Sequence, residues 1–283
     1  MIFLKTIYEN KQTMAQSLGP LEMKLMAYVQ GRAGRTLAAG DCTRDLGWSL
    51  VQERNVLSRM AKKSLIVRVR PGLYLVPPRL PPGGRYSPGE FLVLDTLMKD
   101  RGGRYQISGP NAFHRYHWTD QVPNRLYVYN NRISGNRAIG PVGLSLIKTP
   151  DARLGGVEIV RTPEGIDFVH ASKARALVDA VHDWSRFDTL PRAFDWIRQE
   201  VDREDAFAAD LVQATLAFGN QGTVRRIGAL LERLDVQPPL LRRLERGLGP
   251  SSSFIPWIAN RVKRGRIDKR WGVVMNEGVT DEE

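Results

Sequence analysis

The chain has 283 residues, 42 of them lysine or arginine and 30 aspartate or glutamate, giving a formal charge of +12. Hydrophobic residues make up 42% of it and charged residues 25%, enough apolar side chain to bury a core, so disorder over the whole length is excluded. At roughly 100–200 residues per domain two domains are expected, and the single cysteine, Cys42, excludes a disulfide framework and a multi-thiolate zinc site.

The start, Met1 to Lys5, meets a charge after four apolar residues, too short for the apolar region of a signal peptide. No apolar run approaches the ~20 residues that cross a bilayer. A cytoplasmic protein is expected, without a membrane partner. Residues 1–19 read as a polar, unpatterned extension in which Met14 is a second candidate start. Pro20 opens an amphipathic helix, Leu21 to Gln30, closed by Gly31, and a short helix fits Ala39 to Leu46, ended by Gly47. Ser49 and Gln52 then match a capping box that starts a helix running to about Lys63. On it Leu50, Val56, Leu57, Met60 and Ala61 form an apolar stripe, while Gln52, Asn55, Arg59 and Lys62 share a polar face.

Ile66 to Arg70 and Leu73 to Val76 flank Pro71-Gly72, a pair suited to the centre of a type II turn. Val67 and Val69 alternate with Arg68 and Arg70, the pattern of a half-buried hairpin. Three helices and a hairpin over residues 20–77 spell a winged helix-turn-helix. The proline- and glycine-rich stretch 78–86 reads as a linker, and 87–283 as the second domain. There, a helix from Ser87 to Lys99 and a strand from Tyr105 to Ser108 precede a short helix, Pro110 to His117. Further strands are expected at 126–129, 144–148, 157–161 and 167–169. From Lys173 to Gly247 the pattern is mainly helical, and Arg270 to Met275 is strand-like. The predicted fold class is α+β: an N-terminal winged helix-turn-helix followed by a mixed α/β and mainly helical C-terminal domain.

The charge is uneven. Residues 1–80 carry a net +8 and 241–270 a net +7, against +1 for 81–240 and −4 for 271–283. A concentrated positive field calls for a polyanion. In the expected recognition helix Ser49, Gln52, Glu53 and Asn55 supply groups that read base edges in the major groove. Arg54, Arg59, Lys62, Lys63, and Arg68 and Arg70 of the wing, suit phosphates. The stretch Arg261, Lys263, Arg264, Arg266, Lys269 and Arg270, followed by Trp271, is a second candidate polyanion contact, or a charged loop leading into a buried strand.

Catalytic and metal patterns fall short. His114 and His117 are too few for zinc without further ligands. Ser145 and Lys148 have the spacing of acyl-transfer serines but lie in a strand, on opposite faces. Asp151 and Glu158 begin a nuclease-like signature whose lysine is missing, and no phosphate-cradling glycine loop is present. No enzyme, metal or cofactor is expected. The alternatives kept open are a nuclease-like enzyme and an RNA- or protein-binding adaptor using the basic C-terminal stretch.

Val56 to Ile66 leading into Val69 to Tyr74, then Ile107 to Trp118 with Gln121 to Val128, Lys173 to Asp179, Val224 to Glu232 and Arg270 to Asn276 occur in an order that resembles the AbiEi family, antitoxins of type IV toxin–antitoxin systems. Arg175 and Ala176 depart from the small polar residue common there, so no role is carried onto them. The resemblance implies a repressor of its own operon that binds its promoter as double-stranded DNA; two or more copies on inverted repeats are expected because winged-helix proteins commonly engage symmetric half-sites. It also implies a cognate nucleotidyltransferase-like toxin, opposed functionally rather than through a stable complex.

Overall fold

The structure, a computed structural model, describes residues 18–32, 34–79, 84–163, 165–251 and 253–277; the choice between Met1 and Met14 lies outside them. Eleven helices and twelve strands are present among the described residues, a mixed α+β architecture. No helix among them is long and apolar enough to cross a membrane. Contacts divide the chain into two compact units, one reaching to Asp100 with Ala138–Val142, the other Arg101–Arg137 with Gly143 onward.

The first unit runs α1 (Pro20–Gln30), β1 (Thr36–Ala38), α2 (Asp41–Leu46), α3 (Leu50–Lys62), β2 (Val67–Arg70), β3 (Leu73–Leu75) and α4 (Glu90–Asp100). Pro20 starts α1 with its preset φ, and Glu22 reaches back to the Gly19 N–H at 3.0 Å. Gly47, at φ 71°, ends α2 in the left-handed region that glycine adopts without strain. The strands form an antiparallel sheet in the order β1-β3-β2, closed at Gly72 (φ 79°). Leu25, Val29, Leu37, Trp48, Leu57 and Met60 fill the core between helices and sheet.

Residues 84–86, the described end of the stretch expected as a linker, group with this unit. Two long-range contacts hold α4 there: the Tyr86 N–H donates to the Ser64 carbonyl at 2.7 Å, and Arg70 pairs with Asp100 at the end of α4.

β4 (Tyr105–Ile107), β5 (Leu126–Asn130), β7 (Val142–Lys148), β8 (Val157–Arg161) and β9 (Asp167–Ala171), with β6 (Gly135–Ile139), build a six-stranded mixed sheet in the order β6-β7-β5-β4-β9-β8, most of whose residues belong to the second unit. Short helix α5 (Pro110–Arg115) follows β4. The helices α6 (Lys173–His182), α7 (Trp184–Phe187), α8 (Arg192–Arg203), α9 (Phe207–Phe218), α10 (Gln221–Arg233) and α11 (Pro238–Arg246) then pack into one apolar cluster. A small sheet of β10 (Ile255–Pro256), β12 (Val273–Met275) and β11 (Arg266–Asp268) ends the chain, and Trp271 lies in its core against Gly228. A Cβ at Gly228 would sit 2.2 Å from the indole, so only glycine fits.

Buried polar groups knit this unit together. Asp179, fully buried, accepts from Ser108 Oγ at 2.7 Å, Arg175 Nε at 3.0 Å and Arg153 Nη2 at 3.1 Å. Glu200 accepts from Trp118 Nε1 at 2.9 Å and Lys173 Nζ at 3.1 Å. Each carboxylate thus has the partners that a buried charge requires.

His170 is also buried, its Nδ1 3.0 Å from the Ala171 carbonyl, and burial pushes its imidazole down to about 4. The unfolded chain then takes up a proton near pH 6.5 that the folded chain refuses until about pH 4, so stability falls as pH drops through that window and levels off below it. His182, lowered by burial and by Arg153, adds in the same direction. His170→Gln is expected to flatten urea-unfolding midpoints between pH 6.5 and 4, removing a loss on the order of 3 kcal/mol; a variant as acid-sensitive as the parent contradicts this.

Candidate nucleic-acid interface

α3 is set in place from both ends. At its start Ser49 Oγ accepts the Gln52 N–H at 3.2 Å, and Gln52 Oε1 accepts the Ser49 N–H at 3.0 Å, so the expected capping box forms. The box engages the amide oxygen of Gln52; reading adenine through both amide atoms requires releasing the cap.

Glu53, expected to face a base edge, is turned inward and is 2% exposed. Its carboxylate accepts from the Gly40 N–H at 2.7 Å, the Thr43 N–H at 3.1 Å and Thr43 Oγ1 at 2.7 Å. α2 starts at Gly40, which has no side chain to cap it, and Glu53 supplies that cap from the next helix. Sequence reasoning missed this because the partner lies ten and more residues back, outside any local capping pattern.

At the far end Lys63 donates to both oxygens of buried Glu22, at 3.0 and 2.8 Å, and Arg59 Nε lies 3.8 Å from it. Burial alone would raise the Glu22 carboxyl, but Lys63, the Gly19 N–H and Arg59 together hold it below the usual carboxylate range. Lys63 therefore anchors α3 to α1, and Arg59 keeps an exposed side chain near that anchor.

The remaining outward face of α3 is exposed: Gln52, Arg54, Asn55, Ser58 and Lys62. Arg54 and Lys62 have no ion-pair partner among the described residues, and neither does exposed Arg68 on β2. Arg70, expected to project beside Arg68, does something else. A register shift between the two accompanies the turn of Arg70 toward α4, where Nε and Nη2 donate to Asp100 at 2.7 and 2.5 Å. Its third donor, Nη1, reaches the Pro71 carbonyl. Between α3 and the hairpin runs a cleft of ≈ 350 Å³, lined by Leu50, Arg54, Leu57, Arg68, Gly72 and Tyr74 among others. Leu50, expected in the apolar stripe, is 70% exposed, while Val56, Leu57 and Met60 are buried as expected.

The second basic stretch belongs to the other unit. Arg261, Lys263, Arg264, Arg266 and Lys269 are exposed, without ion-pair partners among the described residues, and Arg266 begins β11. Asn276 fastens the loop, accepting the Ile258 N–H at 2.8 Å and donating to the carbonyls of Ile258 and Val262 at 3.0 Å each. Arg270 is bound separately, to Glu232 and Glu245 at 2.5 and 3.0 Å.

The other candidates are dispersed. Among the described residues no group of three or more histidine, cysteine or acidic side chains could hold a metal. Asp151 accepts from Asn131, and Glu158 lies 3.7 Å from Arg115. Ser145 Oγ donates to Asn136 from β7.

Fold and charge distribution together describe an α+β protein with a cationic helix face in its first unit. No family model matches the chain, and no curated protein does. Among solved structures it is similar to the Rv2827c protein from Mycobacterium tuberculosis, with a TM-score of 0.55 over 91% of this chain and 92% of that one, at 13% identity. The two share an overall fold.

Glu53→Ala leaves three donors at the start of α2 without their acceptor, and is expected to cost on the order of 3 kcal/mol in chemical unfolding. A change under ~0.5 kcal/mol, typical of a surface substitution, would mean that Glu53 does not fix the helix pair.

Proposed function

We propose that the first unit is a winged helix-turn-helix and that the protein is a DNA-binding antitoxin. It represses its own operon and counteracts a nucleotidyltransferase-like toxin of a type IV system, without catalysis or a cofactor. The observation that carries the DNA reading is the sorting of cations on and beside α3 and on β2. Lys63 and Arg70 are consumed by internal carboxylates, whereas Arg54, Lys62 and Arg68 have no ion-pair partner among the described residues and lie around the outward face that carries Asn55. Paired cations hold the scaffold; unpaired ones suit phosphates, and the amide of Asn55 suits an adenine edge.

The antitoxin part rests on the AbiEi resemblance and its operon logic. Two or more copies on an inverted repeat follow from the geometry by which such helices engage half-sites. The five cations of 261–269 that have no ion-pair partner among the described residues favour a second reading, an adaptor for RNA or an acidic protein surface.

The test is a binding titration of the full chain against the DNA upstream of its own gene, with scrambled DNA of equal length, at two salt concentrations. Binding that survives the higher salt only on the upstream fragment is expected. Lys62→Ala with Arg68→Ala should flatten the salt dependence by about 1.8, from ~0.9 per lost phosphate contact, and Arg70→Ala should leave it unchanged. Equal, salt-sensitive binding to both DNAs would favour the adaptor.

A further inference from the structure

Two large apolar side chains stand at the start of α3 for which the fold has no use. Leu50 is 70% exposed and Val51 60% exposed, while the helix buries Val56, Leu57 and Met60 into the core. Exposed hydrophobic residues scattered singly are ordinary. These two are adjacent, and Val51 lies on the line of Asn55, Ser58 and Lys62 down the outward face, at spacings of four, three and four. Leu50 sits beside it on the rim of the cleft that Arg54 and Arg68 flank. Valine at a solvated first turn brings neither helix propensity nor a favourable charge at the helix start.

The surroundings define the partner. An apolar pair bordered by Arg54 and Arg68, and in line with Lys62, fits an anionic surface with a small apolar group inside it. It is also far smaller than the ~800 Å² that a stable protein interface covers on each side. Duplex DNA offers such a surface: phosphates on both walls of a groove wide enough for a helix, with the C5-methyl of thymine on its floor.

We propose that Leu50 and Val51 are specificity-determining residues that pack on thymine methyls in the major groove. This rests on the DNA-binding reading and deepens it. Val51 and Asn55 are about one helical turn apart, ~5.4 Å along the axis, against ~3.4 Å per base pair. The thymine therefore lies one or two base pairs from the base that faces Asn55.

The experiment uses the full chain and the fragment upstream of its gene, amplified once with dTTP and once with dUTP. The uracil fragment has the same base pairing and lacks every thymine methyl. The parent protein is expected to bind it at least about fourfold more weakly, the factor equivalent to ~0.8 kcal/mol for one buried methyl. Leu50→Ala with Val51→Ala should weaken binding to the thymine fragment by a similar factor and abolish the difference between fragments. Its thermal midpoint should stay unchanged, because both side chains are exposed. Equal binding of the parent to the two fragments overturns the proposal, as does a double variant that still distinguishes them, which would place the discrimination in DNA shape. A parent protein that binds neither fragment better than scrambled DNA overturns the DNA reading itself and this inference with it.

Discussion

The carboxylate of Glu53 is the constraint from which the candidate interface follows. It lies inside the first unit and caps a helix that begins at a glycine, taking three hydrogen bonds from Gly40 and Thr43. A buried carboxylate without such partners costs several kcal/mol, so rotating α3 about its axis is penalised at both ends of this contact. A second carboxylate, Glu22, holds the last turn through Lys63. With both anchors facing inward, the opposite side of α3 has to face solvent. Orientation of Arg54, Asn55 and Lys62 is thus fixed by acids they never touch, and preorganised side chains lose little entropy on binding.

Features that depend on neighbours within four residues were legible in the sequence. Pro20, Gly31, Gly47, the Ser49–Gln52 box and Pro71-Gly72 each act through their own turn of chain, and each marks an element boundary that the structure keeps. Strands β1, β6, β10 and β11 went unread because they are two to five residues long and lack a clear alternation. Leu50 was assigned to the buried stripe because helical periodicity says which side a residue is on and not how far the core extends along the axis. The capping of α2 from α3 and the Arg70–Asp100 pair, thirty residues apart, were illegible for a simpler reason: charge type names no partner, and only the tertiary fold brings one.

The second unit shows the same rule with more depth. Arg175, onto which the resemblance carried no role, is fully buried, binds Asp179 and the Gly155 carbonyl, and stacks its guanidinium over Phe218 at 4.4 Å. Arg225 and Arg226 likewise spend their donors on the backbone of 253–257. A count of basic residues therefore overstates the field available to a partner, and the informative quantity is the subset without internal acceptors. In the first unit that subset, among the described residues, includes Arg54 and Lys62 of α3 and Arg68 of β2, besides Arg35, Arg79 and Arg85. In the second it includes Arg261, Lys263 and Arg264 of a loop that Asn276 holds in shape.

The central claim is that the outward face of α3 lies against DNA bases, and site-directed crosslinking tests it most directly. Cys42 is fully buried with its thiol pushed up to about 12 by burial, so it stays inert while an engineered cysteine reacts. Asn55→Cys, carrying a short photo-crosslinker and mixed with the upstream fragment, is expected to join bases at the centre of each half-site. The same label at Gln30→Cys, exposed at the end of α1, should join none. Crosslinks of equal yield and scattered position from both labels, or none from Asn55→Cys, would contradict the account.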